Sequence, residues 1–212
     1  MASSKHAVLQ FPVRDAPNTV NRKVPVRRKN SEYRSREYLT EQEVEDLISA
    51  AGRVGRHGHR DATLIMLSFR HGLRVTELVS MRWEQVDLRQ GLLHVNRLKQ
   101  GNSSVHPLRG PELRALRRLQ RDYPTMPYVF SSERKAPLTP DAIRKIFARA
   151  GREAKLPFPV HPHMLRHACG YKLAQAGQDT RAIQHYLGHR NIQHTVRYTQ
   201  LSTERFKDFW QD

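Results

Sequence analysis

The first regular pattern of apolar and polar positions in the chain starts at Thr40-Glu-Gln-Glu43. A hydroxyl followed three residues on by a carboxylate satisfies the orphan donors of a helix start. Val44, Leu47, Ile48 and Ala51 then recur at helical spacing. The pattern breaks from Gly52 to Gly58 and resumes from Asp61 to His71, where Leu64, Ile65, Met66, Leu67 and Phe69 predict a buried helix that Gly72 ends. A short helix over Val75 to Met81 follows. From Val86 to Leu108 the period changes. Val86-Asp-Leu88, Leu92-Leu-His-Val95 and Val105-His-Pro-Leu108 are strand-like runs separated by turn residues, which predicts a three-stranded antiparallel meander. Helical patterns return over Pro111–Asp122, Pro140–Ala154 with Thr139 as cap, His163–Ala176, Thr180–Leu187 and Ile192–Tyr198. Glu204 to Trp210 places Phe206, Phe209 and Trp210 on one face of a last short helix. The predicted class is mainly α with a small three-stranded antiparallel sheet.

No such period exists in residues 1–36. They hold nine Lys/Arg against Asp15 and Glu32, with Pro12, Pro17 and Pro25 between them. A segment of that composition repels itself and buries too little to order alone. It reads either as a solvated linker or as an arm lying along phosphates, with residues 37–212 as the folded unit. Over the 212 residues the net charge is +17 and the pI about 10.7. That field attracts polyanions, nucleic acid first among them, although a merely soluble basic protein has the same balance. Cys169 is the one cysteine, so neither an internal disulfide nor a cysteine-held zinc is expected. No apolar run reaches membrane-spanning length, and a cytoplasmic protein with no membrane partner is expected.

The last third is rich in His and Arg: His161-Pro-His163-Met-Leu-Arg166-His167, His185-Tyr-Leu-Gly-His189, then His194-Thr-Val-Arg197-Tyr198-Thr199. The pairs His163/His167 and His185/His189 have the i,i+4 spacing of metal ligands, but Met164 and Tyr186 stand where a zincin helix needs Glu. Half-buried helix-capping histidines are the bland alternative. Neither accounts for His163 and Arg166 one turn apart with no neighbouring carboxylate. Two cationic donors so placed repel unless an anion lies between them, and the guanidinium fork matches two phosphate oxygens.

In that order, Gly72-Leu-Arg74-Val-Thr-Glu77-Leu78, Lys99 on the turn before Val105, His163-Met-Leu-Arg166-His167, Leu187-Gly-His189 and Tyr198-Thr199 resemble the boxes of the tyrosine recombinases, the phage-integrase superfamily. The likeness spans residues 40 to about 200, and the tract from His161 through Arg197 resembles the fimbrial phase-variation invertases. It implies the catalytic-domain fold of that family and a DNA strand exchange through a 3′-phosphotyrosyl intermediate, with inversion as the favoured outcome and integration or excision as the alternatives. Tyr198 is then the nucleophile. His163 helps remove and return its proton, Arg74, Arg166 and His189 hold the non-bridging oxygens, and Lys99 protonates the leaving 5′-oxygen. No metal or nucleotide cofactor is implied. The implied partners are double-stranded DNA, a homo-tetramer on paired sites and DNA-bending accessory proteins. About 39 residues precede the capping box, where most of the family has a helical domain that closes over the DNA. Residues alone also leave open that Arg74 is a surface charge paired with Glu77 and that Tyr198 belongs to the core. A type IB topoisomerase-like relaxation and a non-catalytic DNA-binding regulator are the competing functions.

Overall fold

The computed structural model describes residues 36–97 and 103–200. The basic tail through residue 35, Lys99 and the helix expected over Glu204–Trp210 lie outside the described residues. Within them the order is α1 (Glu41–Arg53), α2 (Gly58–Arg70), α3 (Val75–Ser80), β1 (Val86–Asp87), β2 (Leu92–Val95), β3 (Ser104–Pro107), α4 (Gly110–Asp122), α5 (Pro140–Glu153), α6 (Pro162–Gln175), α7 (Thr180–Leu187) and α8 (Gln193–Thr199). The class is the one predicted, with a three-stranded antiparallel sheet in the order β1-β2-β3.

Caps set the helix boundaries. Thr40 and Glu43 form the reciprocal capping box of α1, and Thr139 accepts from the Ala142 N–H at the start of α5. α2 begins three residues earlier than the apolar period indicates. Gly58 allows it: a Cβ there would lie 2.2 Å from the Gly52 carbonyl oxygen, so only glycine lets the two helices approach at that point. β1 stops at Asp87, short of Leu88, because the Asp87 carboxylate accepts from the N–H groups of Arg89 and Gln90 and turns the chain. In the β2–β3 pairing Leu93 faces His106. Leu93 and Val95 point inward, while Val105 is 54% exposed. Among the described residues, no helix is long and apolar enough to cross a membrane.

α6 is the central element, touching α1, α2, α5, α7 and α8. It is buried almost all round from Pro162 to Gly170, which explains why its sequence lacks a clean amphipathic stripe. The main core joins Leu47, Leu64, Leu78, Leu93, Leu116, Phe130, Phe147 and Leu165, and a smaller cluster of Cys169, Ala174, Ile183, Leu187 and Tyr198 holds α7 and α8 against α6. At the entrance to the body, the Arg36 guanidinium pairs with Glu43 and lies 5.4 Å from the Phe158 ring centre.

Candidate active site

Two helix ends make the floor of the site. α2 ends at Gly72, φ +57, with the Leu73 N–H reaching back 3.1 Å to the Ser68 carbonyl. α7 ends at Gly188, φ +64, with the His189 N–H reaching 3.0 Å to Gln184. Both are six-to-one closures through a left-handed residue, and each leaves carbonyls of the last turn without a helical partner. The two ends lie close: a Cβ on Gly72 would sit 2.3 Å from the Leu187 side chain. Arg166, on α6 and 1% exposed, joins them by donating 2.5 Å to the Gly72 carbonyl and 2.6 Å to that of Leu187. Negative helix ends are where cations are held most favourably.

Arg74 opens α3 beside this floor. Its guanidinium donates 2.8 Å to Glu77 and, at 3.5 Å, to the Gly188 carbonyl, and its side chain keeps 31% exposure. The salt bridge of Arg74 to Glu77 is therefore present, and it orients Arg74 toward the two helix ends. A cavity of about 650 Å3 opens here, lined by Arg74 and His189 together with Gln184, Arg181, Arg190 and Asn191. His189 reaches it from just past the end of α7, its Nδ1 2.8 Å from the Thr195 hydroxyl.

Tyr198 projects from α8 into the smaller core cluster at 2% exposure. Its ring occupies the space that Gly170 leaves free, where a Cβ would fall 2.5 Å from the ring edge. Its hydroxyl lies 2.8 Å from His167 Nδ1, and its ring centre 6.2 Å from that of His189. His163, given the proton role by the family resemblance, is one turn before His167, with the two rings edge-on at 4.5 Å. The imidazole against the phenol is thus His167. Phase along α6 carries the signal: His163, His167 and Gly170 stand at i, i+4 and i+7, on one stripe facing α8. Buried Arg97 and the positioning role of Glu77 carry no comparable signal, since each reads in sequence as a surface charge. Lys99 lies outside the described residues.

Electrostatically the site is over-supplied with positive charge. Burial, then Arg74 and Arg97, pull Arg166 down to about 9, which leaves it a cation at neutral pH. Burial and the surrounding cations hold His163 at about 4, though the side chain is exposed at its rim, and hold His167 and His189 at about 3. Burial pushes the Tyr198 phenol up to about 12 against the pull of Arg166 and Arg197. His106, buried beside His71 and Arg97, is likewise at about 3. Among the described residues, no group of three or more His, Cys, Asp or Glu is placed to share a metal ion.

The four imidazoles give a pH prediction. An unfolded histidine titrates near 6.5, so between about pH 6.5 and 4 the unfolded chain binds more protons than the folded one. Stability is then whole above pH 6.5 and falls as the pH drops through that window. The melting temperature should decrease steadily from pH 7 to pH 5, measured by circular dichroism. A melting temperature level across that range would show that these imidazoles are not held neutral by the fold.

A buried phenol set against an imidazole thus lies beside two arginines and a further histidine gathered on two apposed helix ends, and likeness to known proteins makes the chain a tyrosine-type site-specific recombinase, an enzyme that breaks and rejoins DNA strands. The chain belongs to the phage integrase family, whose profile matches residues 37–205. The Type 1 fimbriae regulatory protein FimE of Escherichia coli K12 is 44% identical over 182 residues, covering 83% of this chain and 91% of its own length. FimB of the same organism is 41% identical over 182 residues, covering 84% and 90%. Among solved structures, that of XerA recombinase superposes with a TM-score of 0.72 at 26% identity, over 82% of this chain and 65% of that one.

Proposed function

We propose that the chain inverts a DNA segment, cleaving and rejoining four strands in a tetramer on two sites, each cut made by Tyr198. The phenolic oxygen attacks a backbone phosphorus and loses its proton, the phosphorus–5′-oxygen bond breaks, and that oxygen takes up a proton as it leaves. Arg74, Arg166 and His189 hold the non-bridging oxygens as their charge rearranges, the kind of prepaid electrostatic stabilisation worth several kcal/mol per donor. His163 and His167 serve the phenol's proton, and Lys99 supplies the proton to the leaving oxygen. A phenol at pKa about 12 is a poor nucleophile, so its activation depends on arginines whose charge the phosphate brings into play. At 2% exposure, Tyr198 also has to leave His167 to reach a phosphorus beside Arg74. Inversion as the outcome rests on the likeness to FimE and FimB over nearly their whole length.

The observation that carries this reading is the convergence of Arg74 and Arg166 on the successive carbonyls of Leu187 and Gly188, beside His189 and the Tyr198 ring. The test is a nicked duplex bearing the flanks of this protein's own gene, from which the cleaved end diffuses away. A covalent adduct at Tyr198 is expected, and inversion of a segment between two such flanks. Relaxation of supercoils without exchange would overturn the inversion reading.

The basic tail contributes phosphate contacts in this reading. Removing residues 1–35 should weaken DNA affinity and flatten its dependence on salt, because each lost contact lowers the slope by about 0.9. Filter binding at several salt concentrations measures it, and an unchanged slope would reduce the tail to a linker.

A further inference from the structure

Three arginines meet at the two helix ends, and the reaction above uses two of them. The third, Arg97, leaves β2 at the root of the hairpin with its side chain fully buried, so it touches no DNA in this arrangement. One nitrogen donates 2.7 Å to Glu77. Another donates to the His71 carbonyl at 3.3 Å and to that of Tyr186. Arg166 bridges the same two helix ends one residue further along each, from Gly72 to Leu187. The two guanidiniums are therefore successive rungs between α2 and α7. The Arg97 stem also crosses Gly188, where a Cβ would lie 2.7 Å from its Cγ. Glycine at 188 thus serves twice, as the left-handed residue and as the gap that admits Arg97.

Glu77 explains why a second buried cation is needed. One of its oxygens accepts from the Arg74 guanidinium and the other from the Arg74 backbone N–H, each at 2.8 Å. A buried carboxylate paired with Arg74 alone aims that side chain but cancels its charge, and a neutral pair has little attraction for a phosphate. With Arg97 on the same carboxylate, the trio keeps one net positive charge, and the exposed end of that charge is Arg74.

We propose that Arg97 is a positioning residue for strand cleavage: it takes up the charge of Glu77 so that Glu77 aims Arg74 without neutralising it, and it locks the ends of α2 and α7 in register. The inference rests on Arg74 being a phosphate ligand, as read above. Arg97→Met keeps the stem over Gly188 and removes the charge. In the full chain it should slow cleavage of the nicked duplex at saturating DNA on the order of 100-fold, as for the loss of one oxyanion donor, with half-site affinity within about threefold.

Adding Glu77→Gln removes the charge that Arg97 balances and keeps an oxygen for Arg74. The double variant should cleave at least about tenfold faster than Arg97→Met, because the net charge beside Arg74 is positive again. A packing role predicts the opposite, a second injury to one cluster. Should Arg97→Met alone not fold, the double variant, which leaves no lone buried charge, is compared with Glu77→Gln. Cleavage within about threefold between those two supports the proposal, and a further large loss overturns it. Calorimetric titration with inorganic phosphate reads the same charge without chemistry. Binding should weaken about tenfold in Arg97→Met and recover in the double variant. Equal phosphate binding, Arg97→Met cleaving like the wild type, or a folded double variant no faster than Arg97→Met would each overturn the proposal. A wild-type chain that binds phosphate but forms no adduct would instead overturn the recombinase reading, leaving the phosphate arm to decide Arg97. A wild-type chain that binds no phosphate overturns both.

Discussion

Tyr198→Phe is expected to abolish covalent protein–DNA adducts while leaving DNA binding within about twofold of the wild type. The substitution removes a single oxygen, so the ring still fills the space beside Gly170 and still lies against His189 and Tyr171. What is lost is the 2.8 Å hydrogen bond to His167 and the only atom able to bond to phosphorus. Losing one neutral hydrogen bond of this kind costs about 1 kcal/mol, and the His167 nitrogen left unpaired adds to it. The protein should therefore fold with a slightly lowered melting temperature and gel-shift the same duplex as before. Adduct formation, scored by a denaturing gel of the nicked substrate, should fall below detection. Adducts that persist, mapped by mass spectrometry to another residue, would show that Tyr198 is a core tyrosine and that the reacting group lies elsewhere. The salt series distinguishes this outcome from general damage, since it should not change in Tyr198→Phe.

The fold was largely legible from local rules, because the elements that build it are marked by caps and turns. The Thr40/Glu43 box, the cap at Thr139 and the stop at Gly72 each define a boundary through one residue's hydrogen bonds or one backbone angle. Misplacements occurred where the deciding contact is one that the apolar period does not register. The start of α2 depends on Gly52 of α1, and the end of β1 on which backbone groups the Asp87 carboxylate captures. The candidate site divides the same way. His163 and Arg166 share one short motif and could be grouped beforehand, whereas His189 joined them only through the family resemblance. Spacing along α6 puts His163 and His167 on one stripe, and which of the two meets the phenol is decided by the crossing of α8 over α6. Arg97 is the clearest case of an illegible residue. An arginine at the end of a strand-like run reads as solvent-facing, and only the apposition of two helix ends more than a hundred residues apart makes it a buried partner of Glu77.

Arg166 combines both kinds of dependence, so Arg166→Lys is expected to separate them. The guanidinium reaches two carbonyls on different helices, 2.5 and 2.6 Å away, from a side chain at 1% exposure. A lysine keeps the charge but is a single point donor on a flexible stem, unable to span Gly72 and Leu187 and also present a fork to a phosphate. One buried carbonyl is left unpaired, at a cost of about 1–3 kcal/mol. The loss should appear as an earlier urea midpoint with an unchanged slope. The chemical loss should be larger. Withdrawing one preorganised donor from a developing oxyanion costs about 10²–10³ in rate, and a displaced second donor, Arg74, adds to it because both lean on the carbonyls that close α7. Cleavage of the nicked substrate, measured below the melting range of the variant, should therefore fall by about 10³ or more while DNA affinity changes less than tenfold. If Arg166→Lys loses stability as expected but cleaves within about tenfold of the wild type, the guanidinium is a brace between two helix ends and not a ligand of the phosphate. The anion site then shifts outward to Arg74 and His189, on the cavity that those two residues line.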